Sequence, residues 1–164
     1  MPAKTNAMRI LDGLGIAYRV IEYRIDPDDL AAEKAAVSLG MPPEQVFKTL
    51  VVRGDRSGVA LAVIPAGTRL DLKALARLAG DRKVDTVPLK EVQPLTGYLR
   101  GAVTALGCKK AYRVFLHASA ERLDAIGVSA GARGVEIVLA PADYARAVDA
   151  TVGEIAVPAS PSRS

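Results

Sequence analysis

The sequence predicts an α+β domain built around a mixed β-sheet, and three observations carry that prediction. Residues 46–52 form an unbroken run of β-favouring side chains, and a second run, 59–64, follows after a glycine-containing loop at hairpin spacing. Capped amphipathic stretches lie between the β-like runs rather than after them, which places helices around one sheet. Finally, 164 residues with 50% hydrophobic composition suffice for one domain with a real core, and no internal repeat divides the chain.

Taken in order, Thr5 caps a first helix whose apolar side is Ala7, Met8, Ile10, Leu11 and Leu14, and Gly15 stops it. Residues 18–23 read as a strand. Tyr18, Val20 and Glu22 share one face of it; Arg19, Ile21 and Tyr23 share the other. Asp26, Pro27, Asp28 and Asp29 combine turn and cap chemistry before a helix over 30–39, ended by Gly40. Residues 42–45 fit a single helical turn. The run 46–52 lacks polar alternation and so reads as a strand buried on both faces. Residues 53–58 form the hairpin loop, and Pro65, Ala66 and Gly67 close the partner strand.

Asp71 caps a helix over 72–79 with Leu72, Leu75, Ala76 and Ala79 on one face and Gly80 as its stop. Residues 83–87 suit a short edge strand, and Pro88 opens a short helix reaching about Val92. Residues 96–107 contain three glycines and no period, so the backbone there approaches something closely. A strand over 112–117 follows. Ser119 then caps a helix to about Ile126, and 127–134 form a second glycine-rich turn. Residues 135–139 are a strand containing Glu136, whose simplest reading is an outward-facing side chain. Pro141 opens a last helix through Val148, 152–157 add an edge strand, and 158–164 resemble a disordered tail.

Composition narrows the function. No apolar run approaches the ~20 residues of a membrane span. No signal-peptide core follows Lys4, which leads to the expectation of a cytoplasmic protein. Cys108 and His117 are the only residues of their types, so a disulfide, a multi-cysteine metal site and a histidine zinc site are not expected. The net charge of +4 permits a nucleic-acid partner. With no Trp, five Tyr and two Phe, the chain lacks stacking platforms for single strands. Binding would then rest on phosphate contacts and one small pocket.

Lys48 is the residue out of place: an ammonium within an apolar strand, either snorkelling to water or pointing into a cleft toward an anionic ligand. A serine or cysteine triad would depend on His117 alone, and no nucleophile elbow is present. Cys108 sits beside Lys109 and Lys110, an arrangement able to lower its pKa. Asp28 and Asp29 suit a helix start. An enzyme built from these parts would position its substrate and stabilise an oxyanion with backbone N–H groups of the glycine-rich turns, each worth roughly 3–4 kcal/mol. A substrate carrying its own nucleophile would gain a further ~7–11 kcal/mol from proximity.

Four segments together resemble the YbaK/EbsC branch of the prolyl-tRNA editing family. They are residues 4–8 with Leu11, 45–50, 96–110 and 128–137, with Asp71, Leu72 and Lys73 at a helix start that the family shares. The resemblance covers about residues 4–155 and implies one deacylase domain over 4–157 with a mixed, barrel-like sheet and a cleft. It implies hydrolysis of misacylated tRNA, first of all Cys-tRNA(Pro), with the substrate thiol as nucleophile and no cofactor. Lys48 matches the key cleft residue, and Gly101 belongs to the segment whose backbone lines the site. Tyr23, Thr49, Thr104, Gly107, Ser129 and Glu136 match pocket positions. Arg53, Arg100, Lys109, Lys110 and Arg133, with Arg56 and Lys73, are candidate phosphate contacts for the tRNA acceptor end. Prolyl-tRNA synthetase is a candidate partner; DNA and membranes are not.

The chain departs from the family where Ala102 replaces a second glycine, Ala105 a proline and Glu136 the commoner aspartate. Two alternatives therefore stand beside the first: a deacylase for Ala-tRNA(Pro) or another small aminoacyl ester, and a non-catalytic tRNA- or synthetase-binding module.

Overall fold

A computed structural model describes residues 3–26 and 28–159. Its elements in chain order are α1 (Asn6–Gly13), β1 (Arg19–Glu22), α2 (Ala32–Leu39), β2 (Phe47–Gly54), β3 (Gly58–Pro65), β4 (Thr68–Leu70), α3 (Leu72–Ala79) and β5 (Val84–Thr86). There follow α4 (Leu89–Thr96), β6 (Arg113–His117), β7 (Ile126–Ser129), β8 (Val135–Leu139), α5 (Pro141–Val148), β9 (Ala150–Gly153) and β10 (Ala156–Pro158). The largest sheet has the order β5-β2-β3-β6-β9 and is mixed: β3 pairs with β6, and β6 with β9, in parallel. A three-stranded sheet, β1-β8-β7, and a pair, β10-β4, complete the fold. A bridge between Val46 and Gly127 joins the ends of the two larger sheets. They curl around a common core as a barrel-like layer that stays open among the described residues.

The strand buried on both faces is β3 rather than β2. Leu61 and Val63 enter a core with α1, β7, β8 and α5, through residues such as Leu11, Val128, Ile137 and Tyr144. Ala60, Ala62 and Ile64 face the opposite way, against Leu75 and Ala76 of α3 and Ile155. Lys48, Thr49 and Leu50 of β2 are only half-buried, because the outer edge of β2 is the wall of a cleft.

Local chemistry sets the helix ends. The Thr5 side chain accepts from Met8 N, and Asp71 Oδ1 accepts from Ala74 N at 3.0 Å. α2 and α3 end on Gly40 and Gly80. α2 begins later than its acidic lead-in suggests: Asp29 Oδ1 accepts from Ala31 N, so the aspartate holds the turn before the helix. α4 continues past Val92, through Pro94, to Thr96. Leu14 lies outside the apolar side of α1 and is exposed.

Three expectations fail more fully. Ser119 opens no α-helix. Residues 118–122 form a 3-10 segment, and the Ser119 hydroxyl is buried without a partner among the described residues. Residues 127–129 leave the predicted turn and, with Ile126, become β7, because pairing with β8 buries Ile126 and Val128. The edge strand predicted over 152–157 is two strands in two sheets: β9 on β6, then β10 on β4. Pro158 pairs with Thr68, and Ala159 N donates to Gly67 O at 3.2 Å, so the first two residues assigned to the tail belong to the fold. Residues 160–164 of that tail lie outside the described residues.

Candidate functional site

The outer edge of β2 is covered at both ends and open in the middle. β5 pairs only with Val52, Arg53 and Gly54, Val87 N donates to Val51 O at 3.0 Å, and Gly127 bridges Val46. Backbone groups alternate sides along a strand. Since Val51 O faces β5, the N–H and C=O of Thr49 face the same side, where no strand pairs with them. A cleft of about 400 Å³ opens there. Leu30, Val87, Leu89 and Val92 form its apolar side; Tyr23, Lys48, Thr49, Ser129 and Glu136 supply polar groups, and Arg100 and Gly101 stand at its edge. Seven of the sequence-predicted residues thus meet around one cavity: Tyr23, Lys48, Thr49, Arg100, Gly101, Ser129 and Glu136.

Lys48 is half-buried and lines the cleft. Its Nζ donates to Ala66 O at 3.2 Å, which fixes the head group at the turn after β3. Burial pushes the ammonium below the usual lysine range, and the Glu33 carboxylate opposes that shift. Glu33, in the first turn of α2, lines the same cleft. Sequence reasoning missed it; its one signal was an acid at a helix N-terminus.

Glu136 is not the outward-facing residue of its simplest reading. It lies opposite Ile21 of β1 and Ser129 of β7, is 4% exposed, and faces the cleft. Burial pushes its carboxyl up to about 8, so near neutral pH it is largely a protonated acid. Gly127 makes room for it: a Cβ there would come within 3.2 Å of Glu136 Oε2 and 3.4 Å of Met41 Cε. Close approach, not turning, is the reason for glycine at this point of β7. Tyr23 is raised above the usual tyrosine range by burial and then by the charge of Glu136. Ser129 is committed to structure, with Oγ donating to Ala102 O at 2.9 Å and accepting from Gly131 N at 3.0 Å.

The remaining predicted residues lie elsewhere. Thr104 is fully buried, with Oγ1 accepting from Leu106 N at 3.3 Å; it shapes the loop and does not line the cleft. Gly107 packs against Asn6 and Ile10 of α1, because the end of the loop turns away from β2. Arg53 donates to Glu91 Oε1 at 2.8 Å, and Arg133 Nε donates to Arg100 O at 2.7 Å. Lys109 and Lys110 are exposed outside the cleft, as are Arg56 and Lys73. Cys108 donates to Thr104 O at 3.3 Å, and burial pushes its thiol up to about 11, the opposite of the lowering expected beside Lys109 and Lys110. His117 Nδ1 accepts from Ile155 N and Ala156 N, fixing the corner between β9 and β10.

Comparison with known proteins identifies the family and the fold. The aminoacyl-tRNA editing domain family matches residues 26–147. A protein of Enterococcus faecalis named "Putative Cys-tRNA(Pro)/Cys-tRNA(Cys) deacylase EbsC" is 44% identical over 138 residues, 84% of each chain. Two solved structures share the fold. One, of hypothetical protein APE2540, has a TM-score of 0.84 at 22% identity and covers 93% of this chain and 100% of its own. The other, of "a putative trans-editing enzyme for prolyl tRNA synthetase", has a TM-score of 0.79 at 23% identity, covering 94% and 98%. The chain belongs to the aminoacyl-tRNA editing domain family, in its EbsC-type deacylase branch.

Proposed function

We propose that the chain hydrolyses the ester of cysteine misattached to proline tRNA, with the substrate's own thiol as nucleophile. One observation carries this reading. The cleft gathers Lys48, the open edge at Thr49, Tyr23, Gly101 and Glu136, while Cys108 and His117, the side chains suited to a protein nucleophile and its base, lie outside it. The name of the Enterococcus relative points to the same substrate.

In the proposed reaction the substrate sulfur attacks the acyl carbon of its ester. An S–C bond forms, the ester C–O bond breaks, and the thiol proton ends on the departing ribose oxygen. The resulting four-membered thioester then takes up water and opens to cysteine. The Lys48 ammonium and the Thr49 N–H are the donors for the oxyanion, each worth about 3 kcal/mol when preorganised. Protonated Glu136 supplies an O–H donor to the leaving oxygen, and the Glu33 carboxylate receives the substrate α-ammonium. Arg100 and Arg133 receive the acceptor-end phosphates, and prolyl-tRNA synthetase is the partner proposed to deliver the tRNA.

Single-turnover assays with cysteine, alanine and proline on the same tRNA test this. Release of cysteine alone is the expected result. A second reading follows from the burial of Glu136: above about pH 8 its carboxylate could activate water. Alanine release rising through that pH would replace the thiol mechanism with this one. No release of any amino acid by folded protein would favour a binding module.

A further inference from the structure

A notch of about 20 Å³ adjoins the cleft and shares Tyr23, Leu30, Ala31, Ala35 and Gly101 with it. Three cations from separate parts of the chain line this notch: Arg24 after β1, Lys34 on α2, and Arg133 in the turn between β7 and β8. None of the three forms an ion pair among the described residues. Arg133 is preorganised, since its Nε is held by the Arg100 carbonyl at 2.7 Å, leaving the terminal guanidinium nitrogens for a ligand. Two carboxylates share the notch, but each caps backbone: Asp26 Oδ1 accepts from Asp28 N at 3.0 Å, and Asp29 Oδ1 from Ala31 N at 3.2 Å.

The notch is too small for a base and suits the oxygen of an anion. Its wall is the wall of the cleft, so the anion would sit one short connection away from whatever the cleft holds. In an RNA whose 3′-terminal ester lies in the cleft, the nearest charge outside it is the phosphodiester between the last two nucleotides. Resting on the deacylase reading above, we propose that Arg24, Lys34 and Arg133 bind that phosphodiester. Affinity for the acceptor end then comes partly from a site separate from the reacting groups.

The test uses two minimal esters: cysteinyl-adenosine, which has no phosphate, and the cysteinyl ester of the dinucleotide CpA, which has one. For the wild type, the dinucleotide ester should show the lower KM, and that advantage should shrink as salt rises. Arg24→Ala with Lys34→Ala should raise KM for the dinucleotide ester about tenfold, leave its kcat unchanged, and leave the adenosine ester within twofold. Equal losses on both esters, or no change on the dinucleotide, would overturn the proposal. Equilibrium binding of unacylated CpA and of adenosine decides the matter without turnover, and so separates this proposal from the hydrolytic reading. CpA should lose about tenfold in the double variant and adenosine nothing; an unchanged CpA affinity refutes the site.

Discussion

Asp81 and Glu136 are both buried carboxylates, and their surroundings treat them oppositely. Asp81, in the loop between α3 and β5, accepts from Arg56 N at 3.0 Å, Ser57 N at 2.7 Å and Ser57 Oγ at 2.5 Å. These bonds, led by the Ser57 hydroxyl, hold its carboxyl below the usual aspartate range. Asp55 answers from the hairpin, accepting from Arg82 N and Lys83 N. The two aspartates latch the β2–β3 tip to the loop before β5. The fit is close enough that a Cβ on Gly54 would lie 2.0 Å from Asp81 Oδ2. Glu136 has no comparable set of donors, and its carboxyl is raised instead. A carboxylate that serves the fold is saturated by the fold; one that faces a cleft is left with capacity for a ligand.

The comparison is broken most directly by exchanging effects between the two regions. Lys48→Ala should lower the single-turnover rate by 10²–10³-fold, about 3–4 kcal/mol of lost oxyanion stabilisation, while the urea midpoint stays put. An unchanged rate would remove Lys48 from the mechanism. Asp81→Ala should do the reverse, costing about 2 kcal/mol of stability through the loss of three hydrogen bonds that latch the hairpin tip, with the rate per folded molecule unchanged. A loss of rate at full folding would show that the latch reaches the cleft.

The pH dependence sharpens the contrast, because the two carboxylates carry opposite signs. Glu136 binds its proton more tightly folded than unfolded, so its contribution is complete below the unfolded value of 4.5 and is lost as pH rises toward about 8. Asp81 is depressed, so its contribution is present above 3.8 and is lost as pH falls through the folded value. Urea midpoints measured from pH 5 to 8.5 should decline less steeply with pH in Glu136→Gln than in wild type; parallel curves would refute the assignment.

His117 sides with Asp81. Burial holds it below 6.5, and Nδ1 must stay unprotonated to accept from Ile155 N and Ala156 N at 3.1 and 3.2 Å. Its contribution is therefore present above 6.5 and lost as pH falls below it, an acid loss that His117→Asn should diminish in the same urea series. The smallest effect belongs to Cys108, outside the cleft with a raised thiol: Cys108→Ala should leave the rate within twofold. A larger loss would return the thiol to consideration as a nucleophile.

Much of the fold was legible because its signals are local. Thr5 and Asp71 cap the helices they precede, and Lys48 stood out as a charge among apolar neighbours, one of whose two readings placed it at a cleft. What escaped was set by distant partners. Gly127 and Ser129 looked like turn residues, yet β8 draws them into a strand, where the carboxyl of Glu136 packs close against Gly127. The alternation of Ile126, Val128 and Ala130, all buried, was the available signal. Three-residue strands such as β4 and β10 carry too little pattern to be read before their pairing is known. Thr104 and Gly107, expected at pocket positions from the resemblance, turn instead toward the loop and α1. Glu33 matters only because α2 places it beside the cleft.

The pairing of β9 and β10 has a consequence for the order in which the molecule can be made. β9 closes the β6 edge of the large sheet, and β10 pairs with β4, a segment some ninety positions earlier. On a translating ribosome the β2–β3 hairpin can form early, but the β6 edge and β4 stay unpaired until residues 150–158 have emerged. Synthesis stalled before that point leaves an open strand edge able to pair with other chains. Emergence of residues 150–158 thus decides between a closed sheet and a nascent chain with an open strand edge.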